Sequence, residues 1–298
     1  MKHDAWRHDA AQYTACCELP TRFADVDTLR HLNNSALHGL HLEARMRFLA
    51  ERIGDAFWRS PGPRLRPLRV TTDFLRQSHY PEPVQAAVRV TALDPLQVTL
   101  ASALFQGGHC VGLQTTRLQP RSQGQAGELP AAWLAALDSP VPAPAAEATV
   151  PQPTPWPAYP QQRELDTRYA DLDATARVSE GALMRAAETG RSALLRAAFA
   201  ALDDPEGRHS VGLLVARVDL HVAGWRTLPH RWRLGAGVSH LGRSSVVVRV
   251  GFFDDQPVPL AGADCVLVFV DRDRGQPMAM PEPVRDALAA QRLLAAGR

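Results

Sequence analysis

The chain has 298 residues and a formal net charge of +2, from 33 basic and 31 acidic side chains. That balance excludes the one-sided basic excess of a nucleic-acid binder, and a hydrophobic content of 45% excludes disorder across the whole chain. No apolar run approaches the ~18 residues that span a bilayer, so no membrane protein is expected, and the length suggests two domains.

The opening, MKHDAWRHDAAQ, lacks the apolar core of a secretory signal. It reads as an exposed, flexible tail over residues 1–12, and the expected compartment is the cytoplasm. A first folded unit is expected over 13–138. It contains the segment Thr21–Asp27, TRFADVD, which returns as TRYADLD at Thr167–Asp173, with five of seven positions identical at an offset of 146. Asn33 is a suitable helix N-cap and Gly54 a suitable C-cap, so the spacing predicts a helix over 34–53. Its apolar stripe is Leu42, Met46, Leu49 and Ile53, widened by Leu37, Leu40, Ala44 and Phe48, which implies burial on several sides. Strands are expected at Leu68–Arg76, Val84–Leu93, Val98–Phe105 and Cys110–Leu118, with a hairpin turn at Gly107-Gly108. Pro130–Leu137 reads as a short closing helix.

Residues 139–160 hold 8 of the 24 prolines and form neither helix nor central strand, so a linker is placed there. The second unit, 161–298, repeats the order: a helical stretch, strands at Val211–Val222, His230–Ser239, Ser245–Phe253 and Ala263–Val270, then a closing helix at Pro283–Ala290. One long buried helix with a run of adjacent strands indicates an α+β fold built twice.

Several chemistries are missing. The chain has no G-x-S-x-G elbow, no H-E-x-x-H and no P-loop. Gly235-Ala-Gly237 lacks the third glycine of a dinucleotide fingerprint and sits within a strand. The four cysteines have neither disulfide-framework nor zinc spacing, and Lys2 is the only lysine, which disfavours a Schiff base. His38 and His41 stand one helical turn apart, but nothing completes a metal set, so they read as structural histidines. No metal and no cofactor are expected.

The segment Thr21 to Arg45 is the informative one: Asp25 and Asp27, then His31-Leu32-Asn33-Asn34, then Glu43-Ala44-Arg45. It resembles the 4-hydroxybenzoyl-CoA thioesterase-like group of the hotdog superfamily, and is similar to tandem acyl-ACP thioesterases. The run Leu241–Ser245, Val246–Phe253 and Cys265–Asp271 also looks like this family's closing strands. The resemblance implies two tandem hotdog units, each a long central helix wrapped by antiparallel sheet, paired as an intramolecular pseudo-dimer. It implies an enzyme of fatty acid metabolism hydrolysing an acyl-CoA or acyl-ACP thioester, with its site at the seam between hotdog units. The alternative is a non-catalytic acyl-thioester-binding protein. Association of whole chains into a homo-oligomer stays open.

On that resemblance Asp27 is the catalytic carboxylate, acting on water as general base or on the carbonyl as nucleophile. The N–H groups of the helix N-terminus would polarise the carbonyl. His31 polarises or orients, or only bonds within its loop. Asn33 joins the site or only caps the helix. Glu43 faces the site or pairs with Arg47 at i,i+4. Asn34, Arg64 and Arg66 are substrate-binding candidates, the arginines from a cluster with Arg59 and Arg69 that suits phosphates or an acidic carrier. The second copy keeps Asp173 but has Arg177, Ser179, Glu180 and Thr189 in place of His31, Asn33, Asn34 and Glu43. The working site is therefore expected in the first copy. There, Leu29 stands where tandem plant enzymes have an asparagine, and those enzymes keep their catalytic set in the second unit.

Overall fold

A computed structural model describes residues 4–59, 62–122, 124–138, 153–200, 202, 210–225 and 231–294. It divides into two compact units, Met1–Thr149 and Val150–Arg298.

In the first unit, β1 (Ala15–Leu19) leads through a loop to α1 (Asn34–Ile53). A short α2 (Ala56–Arg59) follows, then β2 (Arg64–Phe74), β3 (Val84–Asp94), β4 (Gln97–Gln106), β5 (His109–Ser122), β6 (Gln125–Ala126) and α3 (Ala131–Leu137). The antiparallel strands lie in the order β1-β3-β4-β5-β2, with β6 on the end of β5. Gly107 and Gly108 turn the β4–β5 hairpin at φ 56° and 76°, a pair of left-handed positions that glycine adopts without penalty. β2 starts four residues before the expected Leu68, because Pro67 sits at a bulge between Pro67 and Arg69. A bulge is one of the few places where a strand tolerates a residue with no N–H.

The Asn33 side chain caps α1 by accepting from Ser35 N–H at 2.7 Å. The helix buries Leu37, His38, His41, Ala44, Arg45, Phe48 and Leu49. That face is rotated from the expected stripe: Leu42, Met46 and Ile53 are only half-buried. The difference arises because a line of polar side chains, His38, His41 and Arg45, points inward, with His38 Nδ1, His41 Nδ1 and the Arg45 guanidinium hydrogen-bonded to Thr72, Ser102, Gln114 and Thr116. Around this line the helix packs Leu37, Phe48 and Leu49 on Val84, Val88, Leu100 and Leu104. Each such side chain contributes ~1.5–3 kcal/mol on full burial.

The other face of the same sheet holds a second apolar cluster of Tyr13, Ala87, Ala101, Ala103, Phe105 and Leu113, with Trp6 and Ala10 against it. Of the tail expected over 1–12, residues 4–12 are ordered and lie against this face, and 1–3 lie outside the described residues. Ala5–His8 and Ala10–Gln12 are 3-10 turns. Arg7 donates to Gln114 O at 3.1 Å, Tyr13 Oη donates to Arg7 O at 2.9 Å, and the Arg89 guanidinium lies 4.7 Å from the Trp6 ring centre. The three alanines leave the room that the Trp6 and Tyr13 rings occupy.

The second unit repeats the plan with β7 (Gln161–Asp166), α4 (Glu180–Phe199), β8 (Val211–Val222), β9 (Arg231–Leu241), β10 (Ser245–Phe253), β11 (Ala261–Asp271) and a closing helix Glu282–Ala289. Its strand order, β7-β9-β10-β11-β8, is the same succession as in the first unit. His230, expected to open β9, lies outside the described residues, as do 139–152 of the expected linker. Residues 153–160 are not free linker. Trp156 and Tyr159 stack edge-on to Phe253 at 5.1 and 5.8 Å, and Arg233 lies 4.9 Å from the Trp156 ring centre. Gly235 and Gly237 belong to this packing: a Cβ at Gly235 would overlap Tyr159, and one at Gly237 would come 2.6 Å from Leu293. Among the described residues, no helix is long and apolar enough to cross a membrane.

Candidate active site

The loop between β1 and α1 is held by its own backbone. Asp27 N–H donates to His31 O at 2.9 Å, Arg30 N–H to Asp27 O at 3.0 Å, and Val26 and Leu32 form an antiparallel bridge. Arg30 completes the turn in the left-handed region at φ 66°. Leu32 N–H bonds Ser78 O and Asn33 N–H bonds Asp25 O, both at 2.8 Å, which fixes the loop to the sheet end beyond β2. Asp25 is spent on structure, paired with Arg22 at 2.7 Å.

Asp27 and His31 are thereby brought together at the N-terminus of α1. Asp27 Oδ1 accepts from Leu29 N–H at 2.8 Å, and Asp27 Oδ2 lies 3.4 Å from His31 Nδ1. The two side chains are 22% and 13% exposed, so the pair is partly withdrawn from water while still reachable. His31 Nδ1 also faces Leu32 O at 3.3 Å, and Nε2 is buried with no hydrogen-bond partner. Position 29 serves through its backbone N–H, since the Leu29 side chain is 54% exposed.

Asn33 caps α1, and Asn34 is the first, half-buried residue of that helix. Glu43 pairs with Arg47 at 2.7 Å, the i,i+4 bridge that was one of its two expected roles, and its carboxylate is 52% exposed. Arg64 and Arg66 are not brought to Asp27 within the first unit. They open β2, whereas the loop is fixed near Ser78 beyond its other end, about 30 Å away at the usual strand rise. Arg64 donates to Phe57 O at 2.7 Å. The buried line of His38, His41 and Arg45 was visible in the sequence only as an i, i+3, i+7 spacing among apolar neighbours.

None of the four cysteines offers an activated nucleophile. All are free thiols, and burial pushes each upward, Cys110 to about 11.

The second unit builds the same loop, with Leu172 bridged to Val178 and Ala176 at φ 56°. Its chemistry differs. Asp173 Oδ1 takes Thr175 N–H at 2.8 Å, Thr175 Oγ1 at 2.7 Å and Arg177 N–H at 3.3 Å, and the Arg177 guanidinium donates to Trp225 O. Where the first loop carries His31, this one carries Arg177.

No family model and no curated protein sequence matches the chain. Solved structures do. A provisionally named oleoyl thioesterase from Lactobacillus plantarum aligns with a TM-score of 0.69 and 13% identity, covering 91% of this chain and 97% of that one. The 12:0-ACP thioesterase from Umbellularia californica aligns at 0.67 and 13%, covering 86% and 94%. An acyl-ACP thioesterase from Bacteroides thetaiotaomicron aligns at 0.61 and 12%, covering 86% and 97%. At such identities the likeness shows the fold, and that fold is the tandem hotdog arrangement.

Proposed function

We propose that this protein is an acyl thioesterase, hydrolysing an acyl group carried on coenzyme A or on acyl carrier protein to the free acid and the thiol. The observation that carries the reading is the Asp27–His31 pair at the N-terminus of the 20-residue α1, in a fold shared with proteins named thioesterases. A helix N-terminus presents backbone N–H groups and partial positive charge, which stabilise the oxyanion formed when a thioester carbonyl is attacked. The partly desolvated carboxylate beside it serves as base or nucleophile. Asn34, at the helix start, is placed to contact substrate, and Asn33 holds the helix end in position. The first unit carries the chemistry; in the second, hydrogen bonds of the loop occupy Asp173. The reading places the enzyme in fatty acid metabolism, and four unpaired thiols suit the reducing cytoplasm.

Thiol release from a panel of acyl-CoA and acyl carrier protein thioesters tests this directly. Turnover that falls with Asp27→Asn supports it. No release from any member would favour an acyl-thioester-binding protein instead.

A further inference from the structure

We propose that the chain pairs with a second copy of itself through the outer edge of β1, antiparallel and about a two-fold axis at Cys17. The pairing concerns assembly and is independent of the thioesterase reading. β1 (Ala15–Leu19) is the outer strand of the first sheet, paired with β3 on one side. Among the described residues, no backbone hydrogen bond reaches its other side. An outer strand presents a row of N–H and C=O groups that another strand can take up, and proteins that stay apart blunt it with charge. The counterpart β7 is blunted in that way. It carries Arg163, Glu164 and Asp166, and Arg231 of β9 holds Glu164 and Asp166 at 3.1 and 3.5 Å. β1, Ala-Cys-Cys-Glu-Leu, carries only Glu18. The same strand of the repeat thus has opposite character in the two units.

Strand addition alone does not name the partner; the neighbouring helix does. Glu43 and Arg47 of α1 form a half-exposed pair at 2.7 Å. Burial pushes the Cys17 thiol up, Arg47 draws it down and Glu43 pushes it up, so both charges stand close to the middle residue of β1. An antiparallel match of β1 with another β1, centred there, sets Cys17 opposite Cys17, Cys16 opposite Glu18 and Ala15 opposite Leu19. No like charges face each other across that ladder. The same axis carries Glu43 of one copy towards Arg47 of the other, twice over. The helix rim beside the strand is therefore complementary to itself, as a contact between identical surfaces requires. A five-residue ladder with one helix rim makes a small interface, of the weak and reversible kind.

Sedimentation velocity on the full chain, in reducing buffer and across a wide concentration range, tests the pairing. A monomer–dimer equilibrium is expected, and a monomer throughout overturns it. Arg47→Glu gathers four carboxylates at the axis and is expected to weaken the dimer at least about ten-fold, because like charges across a contact cost affinity. Glu43→Arg combined with Arg47→Glu restores opposite charges and is expected to restore the dimer. A dimer indifferent to the single change, or not recovered by the swap, overturns the axis. Matching thermal melts of the three chains show that association and not folding has changed. Diamide, which is reduced as two thiols are oxidised to a disulfide, then reads the register. The expected product is a dimer with Cys17 joined to Cys17 by peptide mapping, kept in Cys16→Ser and lost in Cys17→Ser. A link that depends on Cys16, or no link at all, overturns the register.

Discussion

His41 Nδ1 lies 2.8 Å from Ser102 Oγ, and on its other side the ring looks onto Gly112, where a Cβ would stand 3.2 Å from Nε2. The imidazole reaches the sheet because β5 has no side chain at that point. Gly112→Ala is therefore expected to destabilise the protein by ~1–3 kcal/mol, the usual cost of overpacking a close contact. Gly39→Ala, in the interior of α1 with nothing within 4 Å of the added carbon, is expected to stabilise it by about 0.5–1 kcal/mol. Urea unfolding of both variants separates the two, and equal midpoints would contradict the packing described.

Asp27→Asn is expected to lower kcat by roughly 10²–10⁴, the range for losing an acid–base group. Asp173→Asn should leave turnover within about two-fold, because its loop carries Arg177 at the position of His31. Steady-state kinetics on one acyl-CoA compares them, and a reversed order would move the working site to the second unit.

Glu43→Gln removes an exposed partner of Arg47. Such pairs contribute roughly 0.3–0.5 kcal/mol. Turnover should be unchanged and the urea midpoint barely altered. A large loss of kcat would place Glu43 in the catalytic set.

Alkaline pH should weaken the fold. Burial pushes the Cys110 thiol up to about 11 and the Tyr159 phenol up to about 12. Between the ordinary value of 9.0 for a thiol and about 11, the unfolded chain has lost a proton that folded Cys110 retains. Unfolding free energy therefore falls as pH rises through that window. Below pH 9 neither group contributes a slope. Urea midpoints of the wild type and Cys110→Ala, followed from pH 8 to 11, should converge in shape only if this thiol is not responsible.

The repeated plan was readable from the chain because its markers are local: a seven-residue segment copied at a fixed offset, an N-cap before each long helix, and turn residues between strands. The loop that positions Asp27 was equally readable, since Asn33 and the helix start fix where it must end. What escaped was set by tertiary contact. Hydrophobicity ranks His38, His41 and Arg45 as surface residues, yet all three are buried and hydrogen-bond Ser102, Gln114 and Thr116 on strands far along the chain. Trp6 looked like part of a polar tail because Arg89 and the small side chains of β3 and β4 that receive it are more than 80 residues away. Glu43 was assigned from its place in a motif, and motif spacing does not say which way a helix turns its side chains.

Trp6 beneath Arg89 and Trp156 beneath Arg233 are the same device built twice, each upstream of its unit's first strand. Each unit thus has an aromatic cover ahead of its first strand, although the two tryptophans stand 150 residues apart rather than at the 146 of the copied segment. An isolated half cut at the first strand would lose that cover and expose Phe105 or Phe253, so any attempt to express one unit alone has to begin at or before Trp6 or Trp156.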